Sequence, residues 1–143
     1  MTNTQPSDFQ LVDSLKLKSF ITSTLVTGGA GQGDAEFVAE VLVEADLRGV
    51  ESHGVTRLAG YMEMIARGLL NPSPEIKVLH DVMATASIDG DMGFGMLAAR
   101  KGMNMAIDKA REYGLGAVTS RNMAHTGMVG YYTMHAASQG MVG

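Results

Sequence analysis

Leu17, Phe20, Ile21, Thr24 and Leu25 fall on one face at helical spacing, with Ser14 placed to cap the helix and Gly28 and Gly29 to end it. A second helix follows, with Phe37, Val38, Val41, Leu42 and Ala45 as its buried stripe and Glu36, Glu40 and Glu44 as its wet one, ending near Gly49. Ser52 is placed to cap a third helix whose apolar face is Val55, Leu58, Tyr61, Met62 and Ile65, closed by Gly68. The stretch Asn71-Pro72-Ser73-Pro74 then reads as a turn.

Beyond that turn the period changes from helical to alternating. Ile76 and Val78, then Val82, Ala84, Ala86 and Ile88, predict two short strands. A glycine-rich link over 89–95 leads into a fourth helix with Met96, Ala99, Met103, Ala106, Ile107 and Ala110 on one side and Gly114 as its stop. Ala117-Val118-Thr119 predicts a buried strand, 120–127 a loop, and the residues through Ala137 a last helix. Met141-Val142-Gly143 reads as the opening of another strand. The fold class is therefore α/β, with a helical N-terminal subdomain over 1–72 and the beginning of an α/β sheet domain over 73–143.

Composition narrows the chemistry. With 143 residues and 45% hydrophobic content the chain can bury a core of one domain. A net charge of −4 offers no general attraction to nucleic acid or anionic lipid. No apolar run reaches the roughly 20 residues of a membrane-spanning helix, and the polar start lacks a signal pattern, so the expected compartment is the cytoplasm. The absence of cysteine removes disulfides, thiolate metal sites and thiol nucleophiles. No metal is expected, because His53, His80, His125 and His135 show no helical pairing as ligands.

Two clusters carry candidate chemistry. Ser52 and His53 sit at a helix start, where free amide N–H groups attract an anion, and Arg57 and Tyr61 lie one turn apart and can face the same ligand. A guanidinium grips a carboxylate with two hydrogen bonds, so the group fits a 2-oxo-acid clamp. It equally fits a plain cap, a loop histidine and a core tyrosine. The second cluster, Arg121-Asn122-Met123-Ala124-His125-Thr126-Gly127, follows a strand, where α/β sheets place their ligands. His125 can take up a hydroxyl proton there and return it, or serve only structure.

A third pattern, Gly93-Phe94-Gly95-Met96-Leu97-Ala98, matches a dinucleotide fingerprint but lacks the acidic partner; Arg121 stands there instead, a residue suited to a 2'-phosphate. It reads as a tight link first and a ligand loop second. Met96, Met103 and Met105 read as core filler, and His80 and His135 as surface or helix residues.

Taken together, ADLRGVESHGVTR over 45–57, Tyr61, Gly68, IDGDMGFG over 88–95, and Arg121, Asn122, His125, Gly127, Gly130 and Tyr131 resemble the malate/L-lactate dehydrogenase-like oxidoreductases. That family also includes ureidoglycolate and sulfolactate dehydrogenases and piperideine-2-carboxylate reductases. The resemblance implies NAD or NADP as cofactor and a small 2-keto or 2-hydroxy acid, or a cyclic imine, as substrate. It casts His125 as proton donor and acceptor, with Ser52 and His53 at the substrate and nicotinamide and His53 an alternative acid/base. Arg57 becomes the carboxylate clamp with Arg48 in support, and Tyr61 a further substrate contact. His125, Thr126, Gly127, Met128 and Val129 approach the cofactor. It also implies a non-Rossmann α/β fold, a homodimer, and a longer chain whose central sheet is beginning where this one ends. Met123 departs from the small polar residue more usual there. The competing reading is a non-catalytic interaction module presenting its helical face to a partner.

Overall fold

The computed structural model describes residues 11–143, so the polar start over 1–10 lies outside the described residues. Helices α1 (Ser14–Thr27) and α2 (Gln32–Leu47) form an antiparallel pair, followed by 3₁₀ turns at Glu51–His53 and Val55–Arg57 and by α3 (Leu58–Ala66). Strands β1 (Lys77–Val82) and β2 (Thr85–Gly93), helix α4 (Gly95–Tyr113), strand β3 (Ala117–Met123) and helix α5 (Gly130–Ser138) complete the chain. The sheet order is β1-β2-β3; β1 and β2 form an antiparallel hairpin, while β2 and β3 run parallel through the α4 crossover. The expected α/β class is the observed one.

The predicted stripe of α2 is largely the buried one: Val38, Val41, Leu42 and Ala45 are fully enclosed. Val38, Val41 and Leu42 meet Ile21 and Leu25 of α1, Leu58 and Tyr61 of α3, and Phe94, Met96 and Leu97 at the start of α4 in one core. That core therefore spans residues on both sides of Pro72. On the sheet, Ala86, Ile88 and Gly90 alternate inward, as a half-buried strand requires. Gly102 of α4 passes close over Ile88 and Val118.

Several local expectations are corrected. Asp13, not Ser14, caps α1: in extended backbone, its carboxylate accepts from the Lys16 amide at 2.9 Å. Asp13→Ala is expected to cost about 1 kcal/mol, the usual worth of a cap, read as a lowered midpoint in urea unfolding. Phe20 is 59% exposed, because the buried edge of α1 is centred on Ile21, Thr22 and Leu25. Ser52 caps nothing; i→i+3 bonds take over at 51–57 and the α-helix begins only at Leu58.

Val82 pairs with Thr85 and so belongs to the first strand, while Ile76 precedes it. The presumed glycine link is strand as far as Gly93. The strand after α4 runs to Met123, and its place at the sheet edge leaves Ala117 and Thr119 exposed rather than buried. Met141, Val142 and Gly143 take no strand conformation.

Between Asp89↔Arg121 and Gly93↔Met123, β2 uses more residues than β3, a bulge made by Asp91 and Met92 at positive φ. Asp89 holds the other strand there, accepting from Asn122 Nδ2 at 2.9 Å and Arg121 Nε at 3.1 Å. These bonds keep the Asp89 carboxyl below its usual range, the Asn122 contact contributing most. The ladder resumes at Gly93, whose carbonyl accepts from Ala124 N at 2.9 Å and so aims the residues after β3 at the start of α4.

Candidate active site

Two stretches far apart in the chain, 51–61 and 124–129, meet beside α4. The 3₁₀ pair at 51–57 is tied within itself: Arg57 Nε donates to the Ser52 carbonyl at 2.6 Å and Thr56 Oγ1 to the Glu51 carbonyl at 2.8 Å. Ser52 Oγ lies 2.9 Å from His53 Nδ1. Helix α3 brings in Tyr61, buried edge-on against Phe94 with centroids 5.8 Å apart. The loop over 124–129 supplies His125, whose Nδ1 is hydrogen-bonded to the Tyr61 hydroxyl at 2.9 Å.

The His53 and His125 rings stand 5.1 Å apart between centroids. The Gly127 amide also approaches His125 Nδ1, at 3.3 Å. Nδ1 is thus the anchored side of the ring, and among the described residues Nε2 has no hydrogen-bond partner. A tyrosine hydroxyl can donate to a bare Nδ1 or accept from a protonated one, so the anchor survives a change of protonation.

Partial burial holds the His125 imidazole below its ordinary range, and the positive charges of Arg57 and His53 push it the same way. Burial pushes the Tyr61 phenol up to about 12 against the opposing charge of Arg57, so it is a neutral hydroxyl at physiological pH. With Arg57 Nε committed to Ser52, both Nη atoms are left to face a carboxylate as a fork. The arrangement can hold an anionic guest at Arg57 and exchange a proton with it at an imidazole kept mostly neutral.

Of the residues singled out from sequence, Ser52, His53, Arg57, Tyr61 and His125 come together. Arg48 is placed elsewhere in its contacts: its Nε pairs with Glu44 at 2.6 Å on the surface of α2. Thr126 and Val129 line a separate, mostly apolar groove of about 810 Å³ walled by small residues of α4 such as Gly102 and Ala106, with Val118 and Tyr132. None of His53, Arg57, Tyr61 or His125 lines that groove, and the chemistry belongs with the His125–Arg57 cluster. Gly127 and Met128 are buried, Gly127 against Val41 and Met96, while Val129 is 63% exposed. Among the described residues no cluster of His, Cys, Asp or Glu could hold a metal ion, and no helix is long and apolar enough to cross a membrane.

Sequence reasoning missed two supports of the loop. Tyr132 donates to the Thr126 carbonyl at 2.6 Å, and nothing local in the sequence signals it. Gly95 is buried against the chain's own backbone: a Cβ there would lie 2.1 Å from the Ala124 carbonyl oxygen. The fingerprint-like glycine therefore admits the chain's own backbone, and the tight-link reading of this pattern is the one that applies.

The family model described as malate/L-lactate dehydrogenase matches residues 12–143. The malate dehydrogenase of Pyrococcus abyssi is 45% identical over 128 residues, covering 90% of this chain and 35% of that protein. The L-sulfolactate dehydrogenase of Methanocaldococcus jannaschii is 42% identical over 126 residues, covering 88% of this chain and 37% of that protein. The solved structure of malate dehydrogenase from Pyrococcus horikoshii superposes with a TM-score of 0.91 at 42% identity, over 97% of this chain and 40% of that one. The chain thus spans little more than a third of the length of the curated relatives it matches. The match in sequence runs through both site segments and the match in fold through nearly every described element, so the chain belongs to the malate/L-lactate dehydrogenase family.

Proposed function

We propose that this chain carries the substrate-holding and proton-handling face of an NAD(P)H-dependent oxidoreductase that interconverts a small 2-hydroxy acid and its 2-keto acid. The supporting observation is the convergence of His125, anchored by Tyr61, with His53 and the free fork of Arg57. The relatives' names, malate, sulfolactate and ureidoglycolate dehydrogenase (NAD(+)), point to the same class. A nicotinamide, when bound, supplies or takes up the hydride at the carbon bearing the oxygen. Thr126, Gly127, Met128 and Val129 would hold it with His125; exposed Val129 and the apolar groove beside Thr126 offer the surface a planar heteroaromatic ring packs on.

The chain's own residues divide the remaining work. Arg57 binds the carboxylate and orients the acid, with Ser52 and His53 flanking it. His125 exchanges a proton through Nε2 with the substrate oxygen, giving it as the keto acid is reduced and taking it as the hydroxy acid is oxidised. Tyr61 keeps the ring aimed throughout. Arg48, already paired to Glu44, supports the clamp through its place at the foot of the turn. The working assembly in this reading is a cytoplasmic homodimer using NADH or NADPH.

Arg57→Ala removes a charge-assisted fork worth about 1.5–3 kcal/mol, so KM for the keto acid is expected to rise about tenfold to a hundredfold. Arg57→Lys restores little, because one ammonium cannot both reach the Ser52 carbonyl and present a two-donor fork to the carboxylate. Steady-state assays with both variants check this. In the pH profile, hydroxy-acid oxidation needs the neutral imidazole. Its kcat/KM is expected to rise with pH through a midpoint below 6.5, the ordinary imidazole value. Removing the Arg57 charge is expected to move that midpoint up. The reading as a whole is tested by titrating the chain with NADH and NADPH by fluorescence, with and without oxamate as a keto-acid mimic. Saturable binding of one of them supports it, and flat titrations with both cofactors overturn it.

A further inference from the structure

In the turn at 51–57 the one hydrophobic side chain, Val55, packs half-buried against the core; Ser52, Thr56 and Arg57 are exposed, and their side-chain bonds stay within the turn. Backbone bonds from His53 N to the Val50 carbonyl at 2.9 Å and from Arg57 N to the Gly54 carbonyl at 3.0 Å keep it rigid, so its place is set by the packing of Val55 and by what ties it to α2. Among the described residues, one side-chain hydrogen bond joins it to another element. Asp46, in the last turn of α2, accepts from the Val55 amide through Oδ2 at 2.9 Å. The same carboxylate lies flat against Gly54: a Cβ there would fall 1.7 Å from Asp46 Oδ1 and 2.2 Å from its Cγ.

Asp46 and Gly54 therefore fit as a plug and its seat, at the junction between the turn that carries Ser52 and His53 and the turn that carries Arg57. We propose that Asp46 is a positioning residue, whose carboxylate seated on Gly54 and Val55 sets where Ser52, His53 and Arg57 stand relative to His125. This rests on the functional reading above for its consequence in catalysis, but not for its geometry. A carboxylate suits the task because the Val55 amide opens the second 3₁₀ turn, where unpaired N–H groups collect and a negative acceptor is favoured. Glycine at position 54 follows from it, since any side chain would evict the carboxylate.

The test compares Asp46→Ala, Asp46→Asn and Gly54→Ala in the whole chain. The His125 ring is followed by NMR through a pH titration, and oxamate is titrated with cofactor present. Asparagine keeps an acceptor for Val55 while removing the charge, so the difference between the alanine and asparagine variants reports the tether alone. Asp46→Ala is expected to bring the His125 midpoint back toward its ordinary value relative to Asp46→Asn, as Arg57 and His53 drift from it, and to weaken oxamate about tenfold. Asp46→Asn is expected to stay within about threefold in oxamate binding, and Gly54→Ala to follow Asp46→Ala. A purely structural Asp46 predicts lowered melting temperatures with the His125 titration the same in the alanine and asparagine variants, and that result overturns the proposal. If Asp46→Ala does not fold, Gly54→Ala matching Asp46→Asn in the His125 midpoint overturns it as well. Failure of the parent chain to bind oxamate counts against the functional reading instead, because the titration reads the tether without a ligand.

Discussion

His125→Ala is expected to lower kcat/KM for keto-acid reduction about 10²- to 10⁴-fold, the range over which a positioned acid or base accelerates proton transfer. Cofactor binding is expected to change far less, since the loop's backbone is held independently by the Tyr132 bond to Thr126 and by the Gly93 carbonyl on Ala124 N. The variant also strands the Tyr61 hydroxyl, which is buried and loses its bond to Nδ1. An unsatisfied buried hydroxyl costs about 1–3 kcal/mol, so a lower melting temperature accompanies the loss of activity. Tyr61→Phe separates the two effects, because it frees the ring without removing it. Its rate loss is expected to be about tenfold, with the pH limb broadened rather than abolished. Steady-state rates at saturating cofactor decide the matter: a His125→Ala enzyme within a few-fold of the parent would leave the imidazole no chemical role.

The parts of this structure legible in sequence are those governed by local periodicity. Val38, Val41 and Leu42 recur at the helical period, and they line the core because a stripe of that width has no other way to leave water. Ser52, His53, Arg57 and His125 could be picked out because a helix start and the end of a strand are places where an anion or a ligand docks. Their meeting could not be derived from spacing, since it depends on the crossover of α4 and on the bulge in β2. That bulge comes from Asp91 and Met92 at φ of 53° and 55°, and while aspartate tolerates the left-handed region, methionine has no intrinsic reason to adopt it. The surrounding bonds impose it: Asp91 accepts from Asn71 Nδ2 and the Glu75 amide, and the Asp91 amide donates to Asp89.

The failed helix start at Ser52 has the same origin. A serine before an apolar run signals a cap, but the Val55 amide is captured by Asp46 and the chain tightens into 3₁₀ turns before α3 begins. The glycines were legible as places of close approach and illegible as to what approaches. A glycine pattern after a strand looks alike whether it admits a pyrophosphate or a crossing backbone, and only the course of residues after β3 tells them apart.

That crossing makes Gly95→Ala the substitution with the largest combined effect on stability and activity. A Cβ at Gly95 would lie 2.1 Å from the Ala124 carbonyl oxygen and 2.8 Å from both the carbonyl carbon and oxygen of His125. All three are backbone atoms, so no rotamer change relieves the contact; the loop or the first turn of α4 must move. Overpacking of this kind costs about 1–3 kcal/mol or more, against a gain of at most about 1 kcal/mol for replacing a helical glycine by alanine. The clash wins, and a fall in melting temperature of roughly 5–10 °C is expected for a chain of this size. Displacing the 124–125 backbone by about 1 Å carries His125 with it, and a misplacement of that order costs about a hundredfold in rate. Gly33→Ala is the matched control: it also lies in the first turn of a helix, α2, but nothing stands within 4 Å of the added methyl. It is expected to be neutral or stabilising by up to about 1 kcal/mol, with full activity. Equal melting temperatures and equal kcat/KM for the two variants would mean that residues 124–125 are not held where this contact puts them.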